Sequence, residues 1–348
     1  MNKIDLRSDT FTTPTPQMLE AMINAKVGDD VYGEDESINS LQDRVSELCG
    51  KEAALFVPSG TMSNQIGLAI NTNNGDEVIT DADAHIYYYE TAGPSLLSRV
   101  QIRPIKSNNG MPDLNEIEDS IRPDIYYFPN TSLICLENTH NRHGGAIINL
   151  EYIKELKKLA EKYGIKLHLD GARLWNASSA TGISIKEYVQ YFDSVSLCFS
   201  KGLGAPVGSI LVSNKENIKK ALKWRKILGG GMRQAGMLAA ACDFALDNVF
   251  PIMSKDHSNA KDFSQRLITF NNGIILNIDS VQTNIVVFEL PKGIDAKEFE
   301  LNCKNENLML SGIGGRKIRA VFYYQITTIQ AQNAAEIIQN VLNQMRNT

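Results

Sequence analysis

Lys201 follows the alternating apolar run Val195, Leu197, Phe199 and precedes glycines at 202, 204 and 208, within and just before SLCFSKGLGAPVGS (Ser196 to Ser209). The run reads as a buried strand, and the glycines let backbone approach a flat ligand closely. A lysine in such partly apolar surroundings loses solvation of its ammonium form, which frees the amine to attack a carbonyl. The plainer alternative is a lysine ending a strand beside a Gly-rich turn. A second segment, LHLDGARL (Leu167 to Leu174), brings Asp170 to the end of another apolar strand, with Gly171 and Arg173 behind it. A strand-end aspartate either faces a ligand or caps a turn. The third segment, LFVPSGTMSNQIGLAI (Leu55 to Ile70), reads as strand, small-residue turn and helix. There Ser59, Gly60 and Thr61 would offer N–H groups and a hydroxyl to an anion at the positive end of the helix dipole. With no GKS or GKT ending, the turn is not a P-loop.

A Schiff-base lysine and an acid paired with a pyridinium nitrogen are the two groups that pyridoxal phosphate requires, and Lys201 and Asp170 supply both. Taken with RSDTFTTPT, DDVYGED, SGTMSN, AHIYYYE, LENTHN, LHLDGARLWNA and RKILGGGMRQAG in that order, the chain resembles the L-threonine aldolases almost end to end. These are pyridoxal-phosphate enzymes of the aspartate-aminotransferase fold type, fold type I.

The resemblance implies Lys201 as the cofactor's covalent lysine, Asp170 on the ring nitrogen, Gly60 and Thr61 on the phosphate, and His85 stacked on the ring. It also implies Lys226 near the phosphate, with Arg225 its competitor, and Ser8, Arg173 and Arg319 on the substrate carboxylate. Arg173 is expected to border the cofactor as well. An arginine fork suits a carboxylate because it donates two parallel hydrogen bonds. Tyr32 and Asp9 are candidates for the rim, Tyr32 as a possible contribution from a neighbouring subunit. The implied reaction is retro-aldol cleavage of L-threonine or L-allo-threonine to glycine and acetaldehyde, with His85 the leading candidate for the base at the β-hydroxyl.

One departure concerns DIYYFPNT, where Tyr127 stands at a position that several relatives fill with histidine. A phenol is a poor base near neutral pH, so altered selectivity at the β-carbon is expected. A β-eliminating lyase is the alternative chemistry, since the same lysine and aspartate serve many reactions. A noncatalytic binding protein on the same scaffold is the alternative outside enzymes. Asp81, Asp83 and His85 alternate and would share one face of an extended segment, and His140 and His143 stand three apart, but divalent sites usually cluster ligands more tightly, so no metal is expected.

Several elements must position these groups. Strand-like runs at Ala54–Val57, Leu133–Leu136, Lys166–Leu169, Val195–Phe199 and Ser209–Val212 alternate with amphipathic helices at Ser37–Leu48 and Leu150–Tyr163. The expected fold is therefore α/β, with a mostly parallel central sheet flanked by helices, and ligands sit beyond the carboxyl ends of such strands. A helix over Met232–Leu246 leads to a boundary near Pro251. Residues 1–248, N-terminal segment included, are expected to form the large cofactor domain. Residues 249–348 are expected to form a smaller α+β domain that carries Arg319, with strands at Asn284–Leu290 and Lys317–Tyr323 and a final helix near Ala331–Met345. GIGGR (312–316) lacks the strand-turn-helix setting of a dinucleotide fingerprint.

The 348 residues, 43% of them hydrophobic, suffice for a large core, and a net charge of −5 without a basic run offers no footprint for nucleic acid. The apolar stretches are too short to span a bilayer. Five scattered cysteines include no CxxC pair, and MNKIDLRSDT has no apolar signal core, so a cytoplasmic setting is expected. The partners expected are a small amino-acid substrate and, from the resemblance, further copies of the chain in a dimer or tetramer.

Overall fold

The computed structural model describes residues 3–347. A seven-stranded sheet runs in the order Ala53–Val57, Ser209–Ser213, Ser194–Cys198, Lys166–Gly171, Thr131–Glu137, Glu77–Asp81, Gln101–Ile105. Ser209–Ser213 is antiparallel to both neighbours, and the other pairings are parallel. The carboxyl ends of the remaining six strands thus share one edge of the sheet. Two of the seven, Glu77–Asp81 and Gln101–Ile105, escaped the sequence reading. The second carries Pro104 and Arg103, tolerable because it is an edge strand with one unpaired side.

Local chemistry explains the helices. Asp35 caps Glu36–Cys49 by accepting the Ile38 N–H at 3.0 Å, and Gly50 ends it in the left-handed region at φ 62°. Ile38, Leu41, Val45 and Cys49 form its buried face. Asn149 and Gly164 do the same for Leu150–Tyr163. The helix expected from Met232 begins instead at Gly236, because the Asp35 carboxylate accepts the Gly236 N–H at 2.9 Å and residues 232–235 remain a turn.

Three buried hydrophobic clusters form the core around the large sheet, and a second core unites Ile4, Leu6 and residues from Ala260 to Leu342. The second is built on the antiparallel strands Ile285–Glu289, Lys317–Val321 and Ser311–Gly312, backed by Ser254–Thr269 and Thr328–Asn347. The N-terminal residues do not begin in the large unit: Ile4–Asp5 pairs with Leu308–Met309, and the chain joins the large core only at Met18. At the other end Met253 belongs to the first core and Ala260 to the second, so the crossover lies within the helix Ser254–Thr269.

Candidate active site

Most of the chemistry-bearing residues converge on the shared strand edge. The helix Gly60–Asn71 leaves the first edge strand and crosses beneath the sheet, in contact with the strands at 194–198, 209–213, 166–171 and 131–137. It can lie this close because residue 67 is glycine. A Cβ there would sit 2.3 Å from the buried His168 ring. Burial pushes the His168 pKa down to about 4, so the ring stays neutral against the helix.

The close approach lets Asn64 reach Asp170. Asn64 Nδ2 donates to Asp170 Oδ2 at 2.8 Å and to Glu90 Oε1 at 2.9 Å, while the Ala172 N–H donates to Asp170 Oδ1 at 3.0 Å. Burial alone would raise the Asp170 pKa, but the charges of His85 and Lys201 and these hydrogen bonds outweigh it and hold the group below the ordinary carboxylate range. Asp170 is therefore an anion at neutral pH, as an acid facing a protonated ring nitrogen must be. Lys201 lies just past the end of the neighbouring strand, its carbonyl accepting from the Gly204 N–H at 2.8 Å and from Thr12 Oγ1 at 2.9 Å.

His85 opens a short helix, and its N–H donates to Glu137 Oε2 at 2.7 Å. Its Nδ1 is 2.8 Å from Glu90 Oε1, and Glu90 also accepts from Gln65 Nε2 at 2.6 Å. With Nδ1–H directed to a carboxylate, Nε2 is left as the lone-pair nitrogen. Burial works against the imidazolium, but the Glu90 hydrogen bond and the Asp170, Glu90 and Glu137 charges prevail, so the His85 pKa is raised.

At the anion turn, Ser59 Oγ accepts from the Met62 N–H at 3.2 Å, and the first intrahelical bond runs from Ser63 N–H to Ser59 C=O. The Gly60 and Thr61 N–H groups are left for a ligand. Ser209 Oγ, 3.5 Å from where a Gly60 Cβ would stand, is buried and without a hydrogen-bond partner. This orphaned hydroxyl, the free helix terminus, the Asp170 anion and Lys201 together fit a pyridine ring bearing an aldehyde and a phosphate.

Arg319 and Arg173 meet at Asn141. Arg173 donates to both oxygens of buried Asp9, at 2.8 and 2.7 Å, and through NH1 to Asn141 Oδ1 at 3.3 Å. Arg319 donates to the same Asn141 oxygen at 3.0 Å and to the Arg7 carbonyl at 3.1 Å, and its Nε is buried without a partner. Burial and the Arg173 charge lower the Arg319 pKa. Asp9 stays ionised despite burial because Arg173, Lys201 and Asn284 favour the anion. Two guanidiniums thus meet at one amide oxygen while only Arg173 pairs with the Asp9 carboxylate, and a cavity of about 190 Å³ opens on Arg319, Asn141 and Tyr89. Ser8 spends its side chain capping the adjoining turn, accepting from the Thr10 N–H at 3.2 Å.

Three predicted residues stand elsewhere. Tyr127 lies in the loop entering the amino end of Thr131–Glu137, the opposite edge of the sheet, and is 64% exposed. Within the single chain this loop does not approach Lys201. Tyr32 is exposed on a turn that Arg225 and Arg233 tie down through Asp30 and Asp29. Lys226 is exposed, whereas Arg225 is buried and donates to Asp30 and the Phe56 carbonyl.

A family model described as Beta-eliminating lyase matches residues 5–291. Low-specificity L-threonine aldolase 1 of Arabidopsis thaliana is 41% identical over 99% of this chain and 98% of its own length. The low specificity L-threonine aldolase of Escherichia coli K12 is 47% identical over 76% and 79%. The chain belongs to the L-threonine aldolases of the beta-eliminating lyase family. A Leishmania major threonine aldolase structure superposes with a TM-score of 0.81 at 18% identity, over 97% of this chain and 99% of that one, which shows the shared fold. The enzyme is thus a lyase with pyridoxal phosphate as its cofactor.

Asn64, Glu90 and Asn141 complete the enzyme's site and were not read from sequence. Asn64 and Glu90 lie within the quoted SGTMSN and AHIYYYE segments, and Asn141 ends LENTHN. Their signal was present as motif membership without a role attached.

Proposed function

We propose that the enzyme cleaves L-threonine and L-allo-threonine to glycine and acetaldehyde, with His85 as the base at the β-hydroxyl. The observation that carries this reading is the His85–Glu90 pair at 2.8 Å, which occupies Nδ1 and leaves Nε2 as the free nitrogen of a ring that clusters with Glu90 and Asp170. Bound pyridoxal phosphate supplies the electron sink that accepts the pair released from the Cα–Cβ bond.

The chain's own residues do the rest. Lys201 would hold the cofactor covalently, Asp170 would keep its ring nitrogen protonated, and Gly60, Thr61, Ser209 and Lys226 would hold its phosphate. Arg319, with NH1 of Arg173 and Ser8 beside it, would bind the substrate carboxylate and so fix the orientation of the Cα–Cβ bond. His85 Nε2 takes the hydroxyl proton as the carbonyl of the leaving aldehyde forms. Glu90 stabilises the positive charge that the ring then carries.

No single helix among the described residues is long and apolar enough to cross a membrane. We place the enzyme in the cytoplasm as a dimer or tetramer, a reading supported by five free, buried cysteines and by the exposed aromatics Tyr32, Tyr126 and Tyr127. The test of function is acetaldehyde release from both isomers by the holoenzyme, with Lys201→Ala as control. Pyruvate from L-serine without acetaldehyde from threonine would replace this reading with β-elimination.

A further inference from the structure

Behind His85 lies a second polar cluster that the proposed reaction does not use. Asp81 ends its strand with Oδ2 3.5 Å from His143 Nε2 and 3.8 Å from His140 Nε2. Ser107 Oγ hydrogen-bonds the same Asp81 oxygen and stands 3.3 Å from His143 Nε2. His140 is fully buried, and neither of its ring nitrogens has a hydrogen-bond partner. Its Nε2 faces a second buried carboxylate, Glu137 Oε2, at 3.9 Å. Among the described residues, the only ion pairs of Asp81 and Glu137 are with these histidines.

An imidazole buried without partners is costly, and so is a pair of buried carboxylates without a cation. One ion answers both. Ligands held about 2.0–2.1 Å from a tetrahedral centre stand about 3.3–3.4 Å apart, close to the separations found here before any contraction onto an ion.

We propose that Asp81, His140 and His143 form a binding site for a divalent transition-metal ion of the zinc type. Two imidazoles and a carboxylate suit such an ion better than calcium or magnesium, which favour all-oxygen shells. Glu137 or a water supplies the fourth position. His143 is partly exposed and lines the cavity beside Arg319, which gives the ion a way in. The ion has a structural task. It pins the segment 138–146, whose Asn141 joins the two arginines, and it backs Glu137, which anchors the His85 N–H.

The test is metal binding by the holoenzyme, a readout independent of whether threonine is its substrate. After dialysis against a chelator and removal of free cofactor, Zn²⁺ is titrated with retained metal and thermal midpoint as readouts. About one tightly held ion per chain and a raised midpoint are expected for the parent. Asp81→Asn and His143→Gln should each weaken binding at least about 100-fold, since even outer partners of metal ligands are worth about 10–100-fold. His143→Gln decides the matter if the Asp81 variant misfolds, because His143 sits at the cavity wall. No retained zinc in the parent, or equal retention in His143→Gln, overturns the proposal.

Discussion

Replacing Arg319 and Arg173 one at a time separates two jobs that sequence assigns to both. Arg319 spends NH1 on Asn141 and NH2 on the Arg7 carbonyl and keeps a buried Nε–H unspent. Arg319→Lys keeps the charge and removes the fork. A hydrogen bond to a charged group is worth about 1.5–3 kcal/mol, so losing one to the substrate carboxylate should lower kcat/KM about 10–150-fold. Most of this belongs in KM, with a smaller fall in kcat where the Cα–Cβ bond is less well oriented. The thermal midpoint should move little, because the remaining partners of Arg319 are a carbonyl and an amide.

Arg173 is different. Both of its bonds to Asp9 are short and fully buried. Arg173→Gln strands an ionised Asp9, and breaking a buried pair in this way costs about 3–5 kcal/mol. That variant should lose stability as well as activity. The assays are steady-state acetaldehyde release and thermal unfolding of both variants. Unchanged kcat/KM in Arg319→Lys, or parental stability in Arg173→Gln, would refute the division of labour.

Three further outcomes follow from particular contacts. Glu90→Gln removes a charge that raises the His85 pKa, so the acid limb of the kcat profile should shift to lower pH; an unmoved limb would take His85 out of the base role. Gly67→Ala drives a Cβ into the His168 ring, an overpacking worth about 1–3 kcal/mol that thermal unfolding would register. Asp256, buried and with Oδ2 unpartnered, has its carboxyl pushed up to about 8 by burial and by the Asp9 charge. The folded chain keeps that proton while the unfolded chain releases it near the ordinary carboxylate pKa. This contribution to stability is therefore present at low pH and is lost as pH rises to about 8, and urea unfolding of Asp256→Asn should show a flatter dependence across that window.

The sequence made the strand ends legible because each is written locally: an apolar run followed by small or polar residues yields Ser59, Asp170 and Lys201 directly. Alternation along an extended segment was a poorer guide. Asp81, Asp83 and His85 were read as sharing one face, but the chain turns after Asp81, and the three side chains part company. Asp81 goes to His140 and His143, Asp83 to Arg142 at 2.7 Å, and His85 to Glu90. Tyr127 shows the same limit. A motif offset places a residue along the chain, but only the strand direction says which edge of the sheet it reaches.

What remained illegible depends on how the two cores meet. Asp9 opens the chain, Arg173 belongs to the large sheet, and Arg319 and Asn284 belong to the small one, yet all four converge through Asp9 and Asn141. The N-terminal segment begins in the second core, beside Leu308–Met309, and then passes over Lys201, where Thr12 bonds its carbonyl. A strand of two residues carries too few side chains to announce its partner, so pairing across some three hundred residues has no local signature. On the proposed reading the consequence is functional: the arginine pair that would bind the substrate carboxylate comes together only when the small unit is docked. Any change that loosens Ile4–Asp5 from Leu308–Met309 should therefore weaken substrate binding before it weakens cofactor binding, since Asp170, Lys201 and Gly60 all belong to the large sheet and its helix.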